Sequence, residues 1–128
     1  MITTIKEYKS KTINTNLSEF IDRMRILEKE YTDLGVILEL KLGCYQSVYI
    51  SKIIVPINNR QSGIGSSFMK KLTMLADEYN VYLELSPSDI YGGNISKLKQ
   101  FYNRFGFIDN KGRKRDDRFN YEMLRKPK

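Results

Sequence analysis

Val55-Pro56-Ile57-Asn58-Asn59-Arg60-Gln61-Ser62-Gly63-Ile64-Gly65-Ser66 is the stretch on which the fold turns. Ahead of the corner, the apolar run Ile53-Ile54-Val55 reads as the end of a strand stopped by Pro56, and Asn58-Asn59 mark a loop. Behind it, Ile64, Phe68, Leu72, Leu75, Ala76 and Tyr79 recur on one helical face. A strand therefore passes through a glycine-bearing corner into a helix. The first amides of a helix have no intrahelical partner and its dipole is positive at that end, so the corner suits an anion. Gly63 and Gly65 let a phosphate approach the backbone, and Arg60 adds a cation at the rim. Two other phosphate loops are excluded. A dinucleotide fingerprint wants a third glycine where Phe68 stands, and a P-loop wants Lys after the glycine where Ser66 stands.

Working outward, apolar residues at Leu17, Phe20, Ile21, Met24, Leu27 and Tyr31 give a helix that Asn16 or Ser18 can cap and Gly35 follows. Val36 to Leu42 and Tyr45 to Val55 read as strands about a Gly43-Cys44 turn. After the second helix, Val81 to Leu85 is a short strand closed by Ser86-Pro87-Ser88, and Asp89 to Gly93 is turn-like. Ile95 to Phe105 is a third helix ended by Gly106, and Phe107-Ile108 begins a strand. The charged segment Lys111 to Arg118 reads as an exposed hairpin loop before a last strand, Phe119 to Leu124. The order is αββαβαββ, with Met1 to Tyr8 a leading strand or a loose arm. Such an order implies a mixed sheet with helices on its faces.

The composition narrows the chemistry. At 128 residues, with 41% hydrophobic and 29% charged side chains, the chain fits one globular domain, 1–128, with a real core. It holds no histidine and a single cysteine, Cys44. That removes Ser-His-Asp and Cys-His catalysis, internal disulfides and the usual zinc sites. Proton transfer must use Glu, Asp, Tyr, Lys, Cys or water. No apolar run reaches the roughly 18 residues of a membrane span, and the N-terminus lacks a signal-peptide core, so a cytoplasmic protein is expected. The net charge of +7 lies wholly in residues 91–128, which hold eleven basic and four acidic side chains; the first ninety residues balance. This excess suits solubility and steering of a polyphosphate, with an acidic or nucleic-acid-associated partner as the sharper reading.

Arg60-x-x-Gly63-x-Gly65 resembles the phosphate-loop motif of the GNAT family of N-acetyltransferases, at the family's usual distance from the preceding strand. Phe101-Tyr102-Asn103-Arg104-Phe105-Gly106-Phe107 resembles a second family signature, Tyr-x-x-x-Gly-Phe. The resemblance runs from about Ile50 to Ile108. It implies the GNAT fold, an α/β (α+β) architecture with a mixed sheet of about six strands flanked by three to four helices. It also implies acetyl-coenzyme A as co-substrate and an amine as acceptor. By the same resemblance, Ile53, Ile54 and Val55 would pair with the pantetheine arm, and amides from Gln61, Ser62, Gly63, Ile64, Gly65 and Ser66 would hold the diphosphate beside Arg60. Coenzyme A would wedge between two parallel strands that splay apart, the second being Val81 to Leu85.

Tyr102 would protonate the departing thiolate; the competing reading is core packing beside Phe101 and Phe105. Leu83-Glu84-Leu85 resembles the Leu-Glu-Val strand of the ribosomal-protein N-terminal acetyltransferases, which makes Glu84, or water, the base; a solvent-facing Glu84 is the rival reading. Asn94 stands for a cofactor-contacting Asn, displaced by a longer Ser86 to Gly93 loop. Cys44 reads as incidental. The basic rim repels polyamines and cationic drugs, which favours a protein or peptide acceptor; homodimers are common among such enzymes. The competing class is a non-catalytic GNAT-like module that uses its basic C-terminal region on an acidic or nucleic-acid-associated partner.

Overall fold

A computed structural model describes residues 5–56, 63–88 and 93–128, with side chains from residue 17 onward. Helix α1 (Ile5–Asp33) is followed by strands β1 (Ile37–Leu42) and β2 (Ser47–Ile54), helix α2 (Ile64–Glu78) and strand β3 (Tyr82–Leu85). Helix α3 (Ile95–Asn103) and strands β4 (Ile108–Asp109) and β5 (Met123–Arg125) complete the order, with a 3-10 turn at Gly112–Lys114. This is the order read from the sequence, without the leading strand: residues 5–8 begin α1, and residues 1–4 lie outside the described ones. Asn16 and Ser18, expected as caps, are inside α1, which starts eleven residues or more before either.

Among the described residues the sheet has five strands rather than six, in the order β1-β2-β3-β5-β4. Only β2 and β3 run parallel; the other neighbours are antiparallel, so the sheet is mixed. The last strand is shorter than expected because Phe119 and Tyr121 leave the ladder to pack on other rings, Phe119 edge-on to Tyr45 and tilted against Tyr82, Tyr121 stacked on Tyr49.

The core follows from the periodicities. Phe20, Met24, Leu27 and Tyr31 come from α1, and Phe68, Met69, Leu72, Leu75 and Ala76 from α2. They share one cluster with Val48 and Ile50 of β2 and Leu83 and Leu85 of β3. Tyr31 ties the helices together, its ring edge-on to Phe68 at 5.3 Å and its hydroxyl 2.5 Å from Ser67 Oγ. Helix α1 ends where Gly35 takes φ +95°, a left-handed conformation that glycine adopts without a Cβ penalty, and Val36 N–H closes back on Tyr31 O at 3.1 Å. No described helix is long and apolar enough to cross a membrane.

One ion pair fastens α2 and the end of α3 to the sheet. Arg125, 4% exposed, donates to both carboxylate oxygens of Asp77 at 2.8 and 2.9 Å and to Phe105 O at 2.6 Å. The hydrogen bonds from Arg125, then that from the Lys128 amide, hold the Asp77 carboxyl below its ordinary range. Asp77→Asn leaves a buried guanidinium without its counter-charge. The expected loss is about 2–3 kcal/mol in denaturant unfolding, discounted from the roughly 3–5 of a fully buried pair because Asp77 is 29% exposed. A lowered carboxylate pKa stabilises above the unfolded value near 4 and ceases to as the pH falls through the folded one. The gap between the two proteins should therefore close in acid.

Candidate active site

Strands β2 and β3 pair in parallel at only three positions, Ser47↔Tyr82, Val48↔Leu83 and Tyr49↔Glu84. Beyond Tyr49, β2 continues to Ile54 paired with β1 alone, while β3 stays with β5 through Leu85↔Met123. Two parallel strands therefore part in a V whose vertex is the Tyr49–Glu84 pair. Among the described residues the edge of β2 from Ile50 to Ile54 has no strand alongside on that side, which leaves main-chain donors and acceptors facing the gap.

At the same place β2 is bulged. Lys52 pairs with Glu39 and Ile50 with Leu40, so Ser51 is one residue too many for the ladder. A bulge frees a backbone group and bends its strand, and this one sits inside the gap. The sequence held the sign of it: inward apolar residues at Val48 and Ile50 are followed by Ile53, an odd step that a regular alternation cannot make. The expected strand ending at Val55 stops at Ile54.

The gap opens into a cleft of about 650 Å³, within the range of small-molecule sites. Ile50 to Val55 form one wall, and Leu85 to Ser88 the other. Gly63, Gly65 and Ser66 at the start of α2, and Asn94, Lys97, Leu98, Phe101 and Tyr102 along α3, close it. Two helix N-termini thus border one cleft, and its described lining carries Lys52 and Lys97 but no acid. Both lysines escaped the reading from sequence, since single exposed lysines carry no pattern.

The corner is built as the sequence suggests on its described side. Gly63 takes φ +80°, with nothing within 4 Å of where a Cβ would sit; conformation rather than space requires glycine. Ser67 N–H donates to Gly63 O at 2.9 Å, so the amides of Ile64, Gly65 and Ser66 lie ahead of the helix's own ladder. Gly65 rests over Val55 and Phe101, where a Cβ would make ordinary contacts at 3.4 and 3.8 Å. Arg60, Gln61 and Ser62 lie outside the described residues.

Tyr102 is 6% exposed, edge-on to Phe101 and Phe107, and still lines the cleft. Burial pushes its phenol up to about 12, so it keeps its proton at any working pH. Core packing and cleft lining are both true of it. Asn94 lines the cleft too, but its Oδ1 is committed as the N-cap of α3, accepting from Lys97 N–H at 3.1 Å.

Glu84 lies on the other face of β3 from Leu83 and Leu85, and outside the cleft lining. It is 5% exposed, not solvent-facing. Its carboxylate accepts from Ser47 Oγ at 3.2 Å and from the Asn120 amide. Burial raises its pKa, and these two donors only partly offset that. A carboxylate raised in the folded state stabilises the fold while protonated and costs stability as the pH rises through its folded pKa. Glu84→Gln is therefore expected to raise the melting temperature at neutral and higher pH by a few degrees, roughly the effect of 1 kcal/mol in a chain this long. An unchanged or lower melting temperature across pH 5–9 would contradict that burial cost.

Cys44 is exposed in the turn between β1 and β2. Among the described residues no cluster could hold a metal ion.

No family model matches the chain, and no curated protein matches it in sequence. Among solved structures the chain is similar to Ard1 from Thermoplasma volcanium, at 22% identity and a TM-score of 0.47, over 72% of this chain and 62% of that one. The chain thus spans less than two thirds of that protein.

Proposed function

We propose that the protein is an N-acetyltransferase, moving an acetyl group from acetyl-coenzyme A to a primary amine of a protein or peptide by direct attack. The observation that carries this is the parting of β2 and β3 beside the start of α2. A one-strand gap accepts an extended amide-bearing arm by main-chain pairing. The described lining, with Lys52, Lys97, two helix N-termini and no acid, suits the anionic end of the same molecule. The sequence resemblance to the GNAT family points to the same ligand.

In this reading Ile53, Ile54 and Val55 hold the pantetheine arm, and the α2 amides hold the diphosphate. The bulge at Ser51 supplies a backbone donor to the thioester carbonyl, where negative charge develops. The amine enters through the V from the Glu84 face, since Glu84 stands at its vertex. Glu84, directly or through water, takes the amine proton. The nitrogen–carbon bond forms, the carbon–sulfur bond breaks, and Tyr102 gives its proton to the leaving sulfur. A phenol held near 12 is a weak acid in water, but a thiolate in the same dry cleft also gains basicity.

Release of free thiol from acetyl-coenzyme A with a panel of amine acceptors tests the reading: peptides should support turnover, and an absence of release with every amine would reject it. The rival reading is a binding module. It draws on Glu84, which is engaged by Ser47 and Asn120 outside the cleft. That module would bind its partner and release no thiol.

A further inference from the structure

The connection between β4 and β5 is fixed by one buried residue, Asn110, that no periodicity or motif singles out. Asn110 Nδ2 donates to Asp116 O and Phe119 O at 3.1 and 3.2 Å, and its Oδ1 accepts from Asp116 N–H at 2.7 Å. Its own amide donates to Glu122 O at 2.8 Å. The Asp116 carboxylate clamps Arg118 at 2.7 and 3.0 Å, and the guanidinium lies against the rings of Tyr45, Tyr82 and Phe119.

The limb that follows borders the V. Asn120 N–H meets Glu84, Glu122 N–H meets Ser86 Oγ at 3.1 Å, and Tyr121 stacks on Tyr49 at 3.7 Å. The connection is thus a shaped platform on the Glu84 face. Three of its cations already have an acidic partner: Lys111 has Asp109, which it shares with Lys99, Arg115 has Asp117 and Arg118 has Asp116. Arg113 and Lys114, on the 3-10 turn, are exposed and in no ion pair with a described residue.

We propose that the acceptor is an acidic polypeptide segment, whose amine enters the V from the Glu84 face while its carboxylates pair with Arg113 and Lys114. This deepens the acetyl-transfer reading and rests on it. Two unmatched cations suit two carboxylates of a short segment. They are too few for a nucleic-acid track, whose affinity comes from many phosphate contacts, and the balanced first ninety residues add no stripe. Cationic acceptors are repelled by the same pair.

Two assays on the full chain test this separately from the chemistry. Fluorescence anisotropy with a labelled peptide rich in Asp and Glu reads docking without acetyl-coenzyme A. Thiol release compares that peptide with neutral and Lys-rich peptides of equal length. Expected are at least tenfold tighter binding and higher kcat/KM for the acidic peptide, a preference that shrinks as salt rises from roughly 0.05 to 0.3 M. It should invert in Arg113→Glu/Lys114→Glu, with a circular dichroism melt checking that the variant is folded. Should the variant not fold, Arg113→Gln/Lys114→Gln should still abolish the preference. Equal rates for all peptides, or tighter binding of a single-stranded oligonucleotide than of the acidic peptide, would overturn the proposal. Acidic-peptide binding without thiol release with any amine would sink the acetyl-transfer reading while leaving the docking surface standing.

Discussion

Tyr102→Phe is expected to lower the turnover number about a hundredfold or more, while the affinity for acetyl-coenzyme A changes less than about threefold. The ring fills a buried slot between Phe101 and Phe107, and phenylalanine fills it equally. Only the hydroxyl is lost, and in the proposed reaction the hydroxyl acts late, when the sulfur departs. The ground-state complex should hardly notice. A residue that served packing alone would give the opposite pattern, with unchanged turnover. Steady-state kinetics at saturating acceptor, together with calorimetry, separates the two.

Ser66→Glu should cut acetyl-coenzyme A affinity by roughly tenfold to several hundredfold without destabilising the fold. Ser66 is exposed, lines the cleft and lies in the first turn of α2, so a larger side chain meets no core. A carboxylate near a helix N-terminus favours the helix by about 0.3–1 kcal/mol. The same carboxylate beside a bound diphosphate is repelled. Unit charges about 4 Å apart interact by about 4 kcal/mol at an effective dielectric near 20, and screening at an open site reduces that. Stability and binding should therefore move in opposite directions. A variant that melts like the parent and binds the cofactor equally well would place the diphosphate somewhere else.

Much of this was legible in the residues. The corner at Gly63 showed itself because a strand end, a loop and a helical stripe meet there, each with its own period. The stripe through Phe68 and Leu72 and the short Val81 to Leu85 run carried the parallel pair. What escaped had no period to carry it. Met1 to Tyr8 reads as a leading strand or a loose arm and the apolar stripe begins only at Leu17, because residues 5–16 hold two Ile, two Thr, two Asn, a Ser and a Tyr, weaker helix formers; the structure includes residues 5–16 in α1. Strands β4 and β5 span two and three residues, below any alternation that could be counted.

The bulge at Ser51 was present as a slip of phase that only the pairing with β1 makes plain. Asn110 looked like any loop asparagine, although four hydrogen bonds make it the organiser of the basic platform. Glu84 was visible as a candidate but not as a buried one, because a single strand does not tell which of its faces a neighbouring segment will cover. Ser47 and Asn120, which hold its carboxylate, lie 37 and 36 residues away in sequence.

Isothermal titration calorimetry of the full chain with acetyl-coenzyme A addresses the cleft most directly. One-to-one binding with a dissociation constant in the micromolar range is expected, weakened by Ser66→Glu and left nearly unchanged by Tyr102→Phe. No binding at millimolar ligand, with the chain folded by its melt, would contradict a coenzyme seat between β2 and β3.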